Sequence, residues 1–138
     1  MTGIELHRAP SLYQGAPYAY AASAPSGSRL IALAGACPLD ELGATIGVGD
    51  FAGQASAVLA NLETALTAAG ATIGDVLGTR VLVASSNRED LVAVWQVVAE
   101  RFATHAVPST LLGVTVLGYP NQLVEIEAFA AVPQSIEG

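Results

Sequence analysis

The sequence predicts an α+β domain in which a mixed sheet carries two helices on one face. Three observations lead there. Two stretches repeat apolar residues at three- and four-residue intervals, several short runs rich in Val, Leu, Ile and Ala lie around them, and 52% of the 138 residues are hydrophobic against 12% charged. A chain of this length fits one domain, residues 1–138, and buries enough surface to fold without disulfide or metal staples. It is too apolar for disorder.

In chain order, Ile4–Arg8 reads as a short edge strand. Tyr18–Ser23 and Leu30–Ala34 read as strands joined by the turn cluster Pro25-Ser26-Gly27-Ser28, and together as a hairpin. The first helix is expected over Asp50 to Ala69, with Asp50 as N-cap and Gly70 as its stop. Its apolar stripe is Phe51, Ala55, Val58, Leu59, Leu62 and Leu66, with Gln54, Asn61 and Glu63 away from the centre. Thr79–Ala84 is a strand. The second helix runs over Arg88 to Ala103, capped by Asn87 with Asp90 three residues on, and its stripe is Leu91, Val94, Trp95, Val98 and Phe102. Ser109–Leu117 and Leu123–Val132 are strands flanking the turn signal Gly118-Tyr119-Pro120-Asn121. Two helices cover one sheet face only. The other face needs its own cover, and with so apolar a composition a second copy of the chain is the expected cover.

Charge and residue types exclude several function classes. Five arginines and no lysine stand against twelve carboxylates, a net charge of −7. Arg8, Arg29, Arg80, Arg88 and Arg101 are scattered, so no phosphate-tracking surface is expected. Without lysine there is no Schiff-base lysine, pyridoxal-phosphate anchor or P-loop. Cys37 is the single thiol and reads as a small buried hydrophobe. His7 and His105 lie far apart without metal-site spacing, so no metal is expected. No run reaches membrane-span length and the first residues lack a signal-peptide core, which makes a cytoplasmic protein the expectation.

Two groups of side chains are candidates for chemistry. Glu125 and Glu127 alternate with Val124 and Ile126, so both carboxylates share one strand face, continued by Phe129. A wet strand face would look the same. The functional alternative is a carboxylate in a partly dry cleft that moves protons or positions a water. Tyr13, Tyr18 and Tyr20 cluster near the first hairpin strand, where a phenol packs an interface or meets a ligand. Trp95 reads as core or interface. There is no GxGxxG after a strand and no GxSxG elbow.

The sequence resembles the RidA/YjgF family of small trimeric proteins over nearly its whole length. The carriers are Pro17-Tyr18, Leu33-Ala34-Gly35 through Pro38-Leu39, Gln54 with Leu59, Asn61 and Leu62, Ala69-Gly70-Ala71 with Asp75-Val76, and Leu123-Val124-Glu125-Ile126-Glu127-Ala128. The resemblance implies a chorismate-mutase-like α+β fold whose sheets form the core of a homotrimer, with ligand clefts between subunits. It also implies cofactor-free hydrolysis of enamines and imines to a keto acid and ammonia. Tyr18 and Glu125 match the family's cleft tyrosine and glutamate. Other positions depart. The arginine that grips the substrate carboxylate in deaminating members falls on Thr110, or on Ser109 if one gap is allowed. The cleft serine falls on Ala34, beside Gly35; a polar helix residue falls on Trp95; a cysteine falls on Leu112. These replacements favour a larger, neutral or aromatic ligand over a small 2-imino acid. Glu125 is the expected catalytic residue, with Tyr18, Ala34, Gly35, Trp95, Ser109, Thr110 and Leu112 around the ligand. Three functions follow: a divergent imine or enamine hydrolase, a metabolite-binding or regulatory trimer without turnover, and an endoribonuclease, which the acidic charge disfavours.

Overall fold

The protein is described here by a computed structural model covering residues 3–134. The ends of the expected domain, residues 1–2 and 135–138, lie outside the described residues. The elements are β1 (Glu5–His7), β2 (Ala21–Ser23), β3 (Arg29–Ala32), α1 (Phe51–Ala68), a 3-10 turn (Ile73–Asp75), β4 (Val76–Val83), α2 (Arg88–Arg101), β5 (Ser109–Gly113) and β6 (Val124–Val132). β3, β6, β4 and β5 form one sheet in that order, and β1 pairs with β2 in a separate two-stranded ribbon. β6 runs antiparallel to both its neighbours, whereas β4 and β5 are parallel. Parallel neighbours need a crossover, and α2 supplies it. The sheet is therefore mixed, with both helices on one face, as expected. No helix among the described residues is long and apolar enough to cross a membrane.

Alternation on the strands decides which face is dry. Val124, Ile126, Ala128 and Ala130 of β6 and Val81 and Val83 of β4 are buried under the helices. They meet Val58, Leu62 and Leu66 of α1 and Val94 and Val98 of α2 in one core. The alanines of β6 are small enough for α1 to pack directly over that strand. Asp50 caps α1 as expected, its Oδ1 accepting from Gly53 N at 2.9 Å. The opposite sheet face carries Leu30 at 76% and Phe129 at 55% exposure, with Leu112 and the pair Arg80–Glu127 between them and Glu125.

Five sequence expectations need correction. β2 and β3 do not form a hairpin. The turn at Pro25–Ser28 closes through Ser28 N to Pro25 O, but β2 joins β1 and β3 joins β6. Pairing with β6 places Ile31 in the core opposite Ala130, whereas an isolated two-strand hairpin would bury little. Tyr18 and Tyr20 precede β2 in bends rather than lying within a strand. β5 stops at Gly113 instead of Leu117. Its partner β4 ends at Val83, so residues beyond have no ladder to join, and Val116 is exposed. Asn87 makes no side-chain cap; Ser85 does the work there, accepting from Asn87 N and donating to Asp90. Gln54 is not peripheral but fully buried, at 0% exposure.

Candidate functional site

Glu125 projects from the open face of β6, half-buried, and its surroundings are built by three segments. The first is residues 35–37, which hang on β6 through Ala36 N to Ile126 O (2.8 Å) and Ile126 N to Ala36 O (3.1 Å). This brings Gly35 against the Glu125 side chain, so closely that a Cβ at Gly35 would overlap the carboxylate. The second is α1. Asn61 donates to the carbonyls of Cys37 (2.8 Å) and Leu39 (3.0 Å), pinning the strand-like segment from below. Gln54 donates to Gly47 O and Asn121 O and accepts from Leu123 N at 2.7 Å, so one buried amide ties two loops to the start of β6. The third is Gln122. Its amide donates to Val124 O (3.1 Å) and to Glu125 Oε1 (3.2 Å), while its oxygen accepts from Tyr119 N.

Cys37 completes this environment. Its thiol lies 3.4 Å from Glu125 Oε1 and 3.4 Å from Gly35 O, geometry in which the S–H donates. Cys37 is thus a polar neighbour of the carboxylate and not only a small hydrophobe. Burial, then the hydrogen bond to Glu125 and its negative charge, push the thiol from 9.0 up to about 11. At pH 8 about one thiol in a thousand is ionised, against about one in ten for an unshifted group. Iodoacetamide is therefore expected to modify Cys37 about 100-fold more slowly than a free thiol, read by mass spectrometry. Modification at the free-thiol rate would contradict the contact. The folded pKa lies above the unfolded one, so the stability this proton lends is full below pH 9 and is lost as pH rises towards 11.

The second group gathers where β5 begins. Ala19 N bonds to Ala106 O at 2.8 Å, which seats Tyr18 over α2, edge-on to Trp95 with centroids 6.3 Å apart and edge-on to Tyr20 at 5.9 Å. A cavity of about 390 Å³ opens beside Tyr18, Arg80, Ser109, Thr110 and Phe129. A second, about 240 Å³, runs behind it between Trp95, Phe102 and Ser109. Thr79 Oγ1 donates to Ser109 Oγ at 2.7 Å.

Within one chain the expected site residues therefore fall into two groups. Tyr18, Trp95, Ser109 and Thr110 surround the cavities at β5. Ala34, Gly35 and Glu125 lie on the other side of the sheet face. Leu112 stands between, aligned with Leu82 and, across it, Glu125, about 10 Å from that glutamate by two strand spacings. Sequence reasoning missed Cys37, Gln122 and Gln54 as supports of the carboxylate. It also missed Arg80, which the parallel register sets directly opposite Thr110, the position where the resemblance expects an arginine.

Comparison with known proteins agrees with this architecture. The family model for endoribonuclease L-PSP matches residues 11–132. The structure of YyfB from Yersinia pestis, described as a protein of unknown function of the conserved Rid family, is 30% identical with a TM-score of 0.84, over 95% of this chain and 100% of that one. A member of the YjgF/YER057c/UK114 family from Mycobacterium tuberculosis is also 30% identical, with a TM-score of 0.63 over 94% of this chain and 99% of that one. The YjgF gene product from E. coli is 25% identical, with a TM-score of 0.64 over 91% and 92%. No curated protein sequence matches.

Proposed function

The chain belongs to the endoribonuclease L-PSP family, that of the Rid and YjgF proteins, and from that premise we propose that it hydrolyses an imine, enamine or related unsaturated metabolite other than a small 2-imino acid, without a cofactor. The observation that carries this reading is the state of the Glu125 carboxylate. Oε1 is held by Cys37 and Gln122, while Oε2 makes no hydrogen bond among the described residues and faces the backbone at Gly35. A carboxylate fixed at one oxygen and open at the other is suited to orient a water and take its proton. The oxygen of that water bonds to the imine carbon as the C=N π pair moves to nitrogen. The proton returns to the nitrogen to give a carbinolamine, whose hydroxyl proton then passes by way of the same carboxylate to the nitrogen, which leaves as ammonia while the carbonyl forms. Water and imine are consumed and carbonyl and ammonia released, with no change of oxidation state.

The two groups of site residues are read as halves of one cleft closed between copies of the chain. Leu30 and Phe129, exposed on the sheet face, are then covered in a homotrimer. The endoribonuclease reading is weaker. Four of the five arginines are engaged by their own chain: Arg8 with carbonyls of residues 14, 16 and 18, Arg29 with Ala69 O, Arg80 with Glu127, and Arg101 with Glu63. Too little positive charge remains to track a phosphate backbone. The absence of arginine at Thr110 favours a second reading, a trimer that binds a metabolite without turning it over.

The test is ammonia release from freshly generated imines, aliphatic to aromatic, made in situ by an amino-acid oxidase. Acceleration above buffer for the larger substrates is expected. No acceleration for any member would overturn the enzymatic reading and leave the binding one.

A further inference from the structure

We propose that Arg8 is a positioning residue for Tyr18: by holding the backbone of residues 14–18 it fixes the Tyr18 ring against Trp95, where a ligand meets it. That a ligand meets the ring there rests on the reading above; the placement of the ring does not.

Residues 8–20 leave β1 and return to β2, and they carry neither helix nor strand. The pair His7–Ala21 brings the two ends of this loop together. A loop of that length without a ladder of its own is held by its side chains. Arg8 sits at its base and reaches across it. Nη1 donates to Ala16 O (3.2 Å) and to Tyr18 O, and Nη2 donates to Gln14 O (3.1 Å). The guanidinium carbon lies 5.4 Å from the centre of the Tyr20 ring, and the Tyr20 hydroxyl donates to Tyr13 O at 2.5 Å. The ion pairs among the described residues are Arg80–Glu127 and Arg101–Glu63, so the charge of Arg8 is met there by carbonyls. With its N–H groups committed in this way, Arg8 serves the loop and not a ligand anion.

The choice of carbonyls is what fixes the tyrosine. Ala16 O belongs to the peptide plane that enters Pro17, and Tyr18 O to the plane that leaves Tyr18. Arg8 therefore grips the planes on both sides of the Pro17–Tyr18 step, and the Pro17 ring locks one of the torsions between them. The plane leaving Tyr18 is held at its other end as well, where Ala19 N donates to Ala106 O at 2.8 Å. The Tyr18 ring is thereby directed edge-on to Trp95 and to Tyr20. A planar fork aims separate N–H groups at several acceptors, which the compact ammonium of a lysine does not.

Trp95 is the only tryptophan in the chain, so its fluorescence reports on the ring beside it. The test measures acrylamide quenching of Trp95 in the intact wild-type protein, Arg8→Gln, Tyr18→Ala and the double variant. Arg8→Gln is expected to raise the quenching constant most of the way to the Tyr18→Ala value, and to add nothing in the Tyr18→Ala background. Arg8→Lys, which keeps the charge without the fork, is expected to lie between wild type and Arg8→Gln. For the imine made from phenylalanine by an amino-acid oxidase, Arg8→Gln is expected to raise KM about tenfold with kcat nearly unchanged. A merely structural role would lower Tm and leave quenching and KM at their wild-type values. Wild-type quenching in Arg8→Gln, an effect that adds in full to that of Tyr18→Ala, or an unchanged KM would each overturn the proposal. If no imine is turned over, the enzymatic reading falls, and the quenching cycle still decides whether Arg8 places Tyr18.

Discussion

Glu125→Gln is expected to reduce imine turnover by about 100-fold or more, with KM nearly unchanged. The amide keeps the volume of the carboxylate and its place above Gly35 but cannot accept a proton from water. Selective loss of kcat follows if Glu125 acts on the water, because that interaction is made in the transition state. A companion measurement reports whether the substituted side chain has stayed in place. The Glu125 charge and hydrogen bond both raise the Cys37 thiol. Removing the charge should lower it, so alkylation of Cys37 at pH 8 should speed up in the variant. Turnover equal to wild type would remove Glu125 from the chemistry, whatever the alkylation rate.

Gln54→Ala is expected to cost about 3–5 kcal/mol of stability, read as a drop of roughly 10–15 °C in Tm. The side chain is fully buried in α1 and serves three backbone groups in two distant loops. Alanine leaves Leu123 N–H and the Gly47 and Asn121 carbonyls without their partner, in a buried cavity where the amide stood. Gln54→Met keeps most of the volume, so it should recover the packing part of the loss but not the hydrogen-bonding part. Calorimetric unfolding of both variants separates the two. If Gln54→Ala melts with wild type, the amide is not what holds the start of β6.

The periodic elements were legible in the sequence because their information is local. Asp50 at the N-cap and Leu59, Leu62 and Leu66 on one stripe identify α1 without any knowledge of its neighbours. The alternation of Val124, Glu125, Ile126 and Glu127 likewise assigns faces to β6 before its partners are known. Strand pairing was not legible in the same way. Pro25–Ser28 announces a turn, but only the placement of Ile31 against Ala130 says that β3 goes to β6. Gln54 was placed on the wrong side because a periodicity argument files every amide on the wet side. Its burial follows from three backbone groups lying far away in sequence. Of the candidate site, Tyr18 and Glu125 could be named from residue type and resemblance, and their separate surroundings could not. Arg80 carried no sequence signal. It became a candidate only through the parallel register that sets it opposite Thr110, and a register depends on the whole sheet.

The position of β6 has a consequence for how the chain reaches this form. It follows every other described element in the sequence, yet it is the strand on which β3 and β4 both depend for antiparallel pairing. During synthesis α1, β4, α2 and β5 emerge first and can make their local contacts, including the parallel β4–β5 pair. β3 has no partner until β6 leaves the ribosome, and Ile31 remains exposed for that interval. Closure then needs β6 to pair with β4 on one side and to recruit β3, about 100 residues earlier in the chain, on the other, and contacts of such separation form slowly. The same late step delivers Glu125 to Gly35 and Cys37, so the carboxylate takes its place only when the sheet is complete.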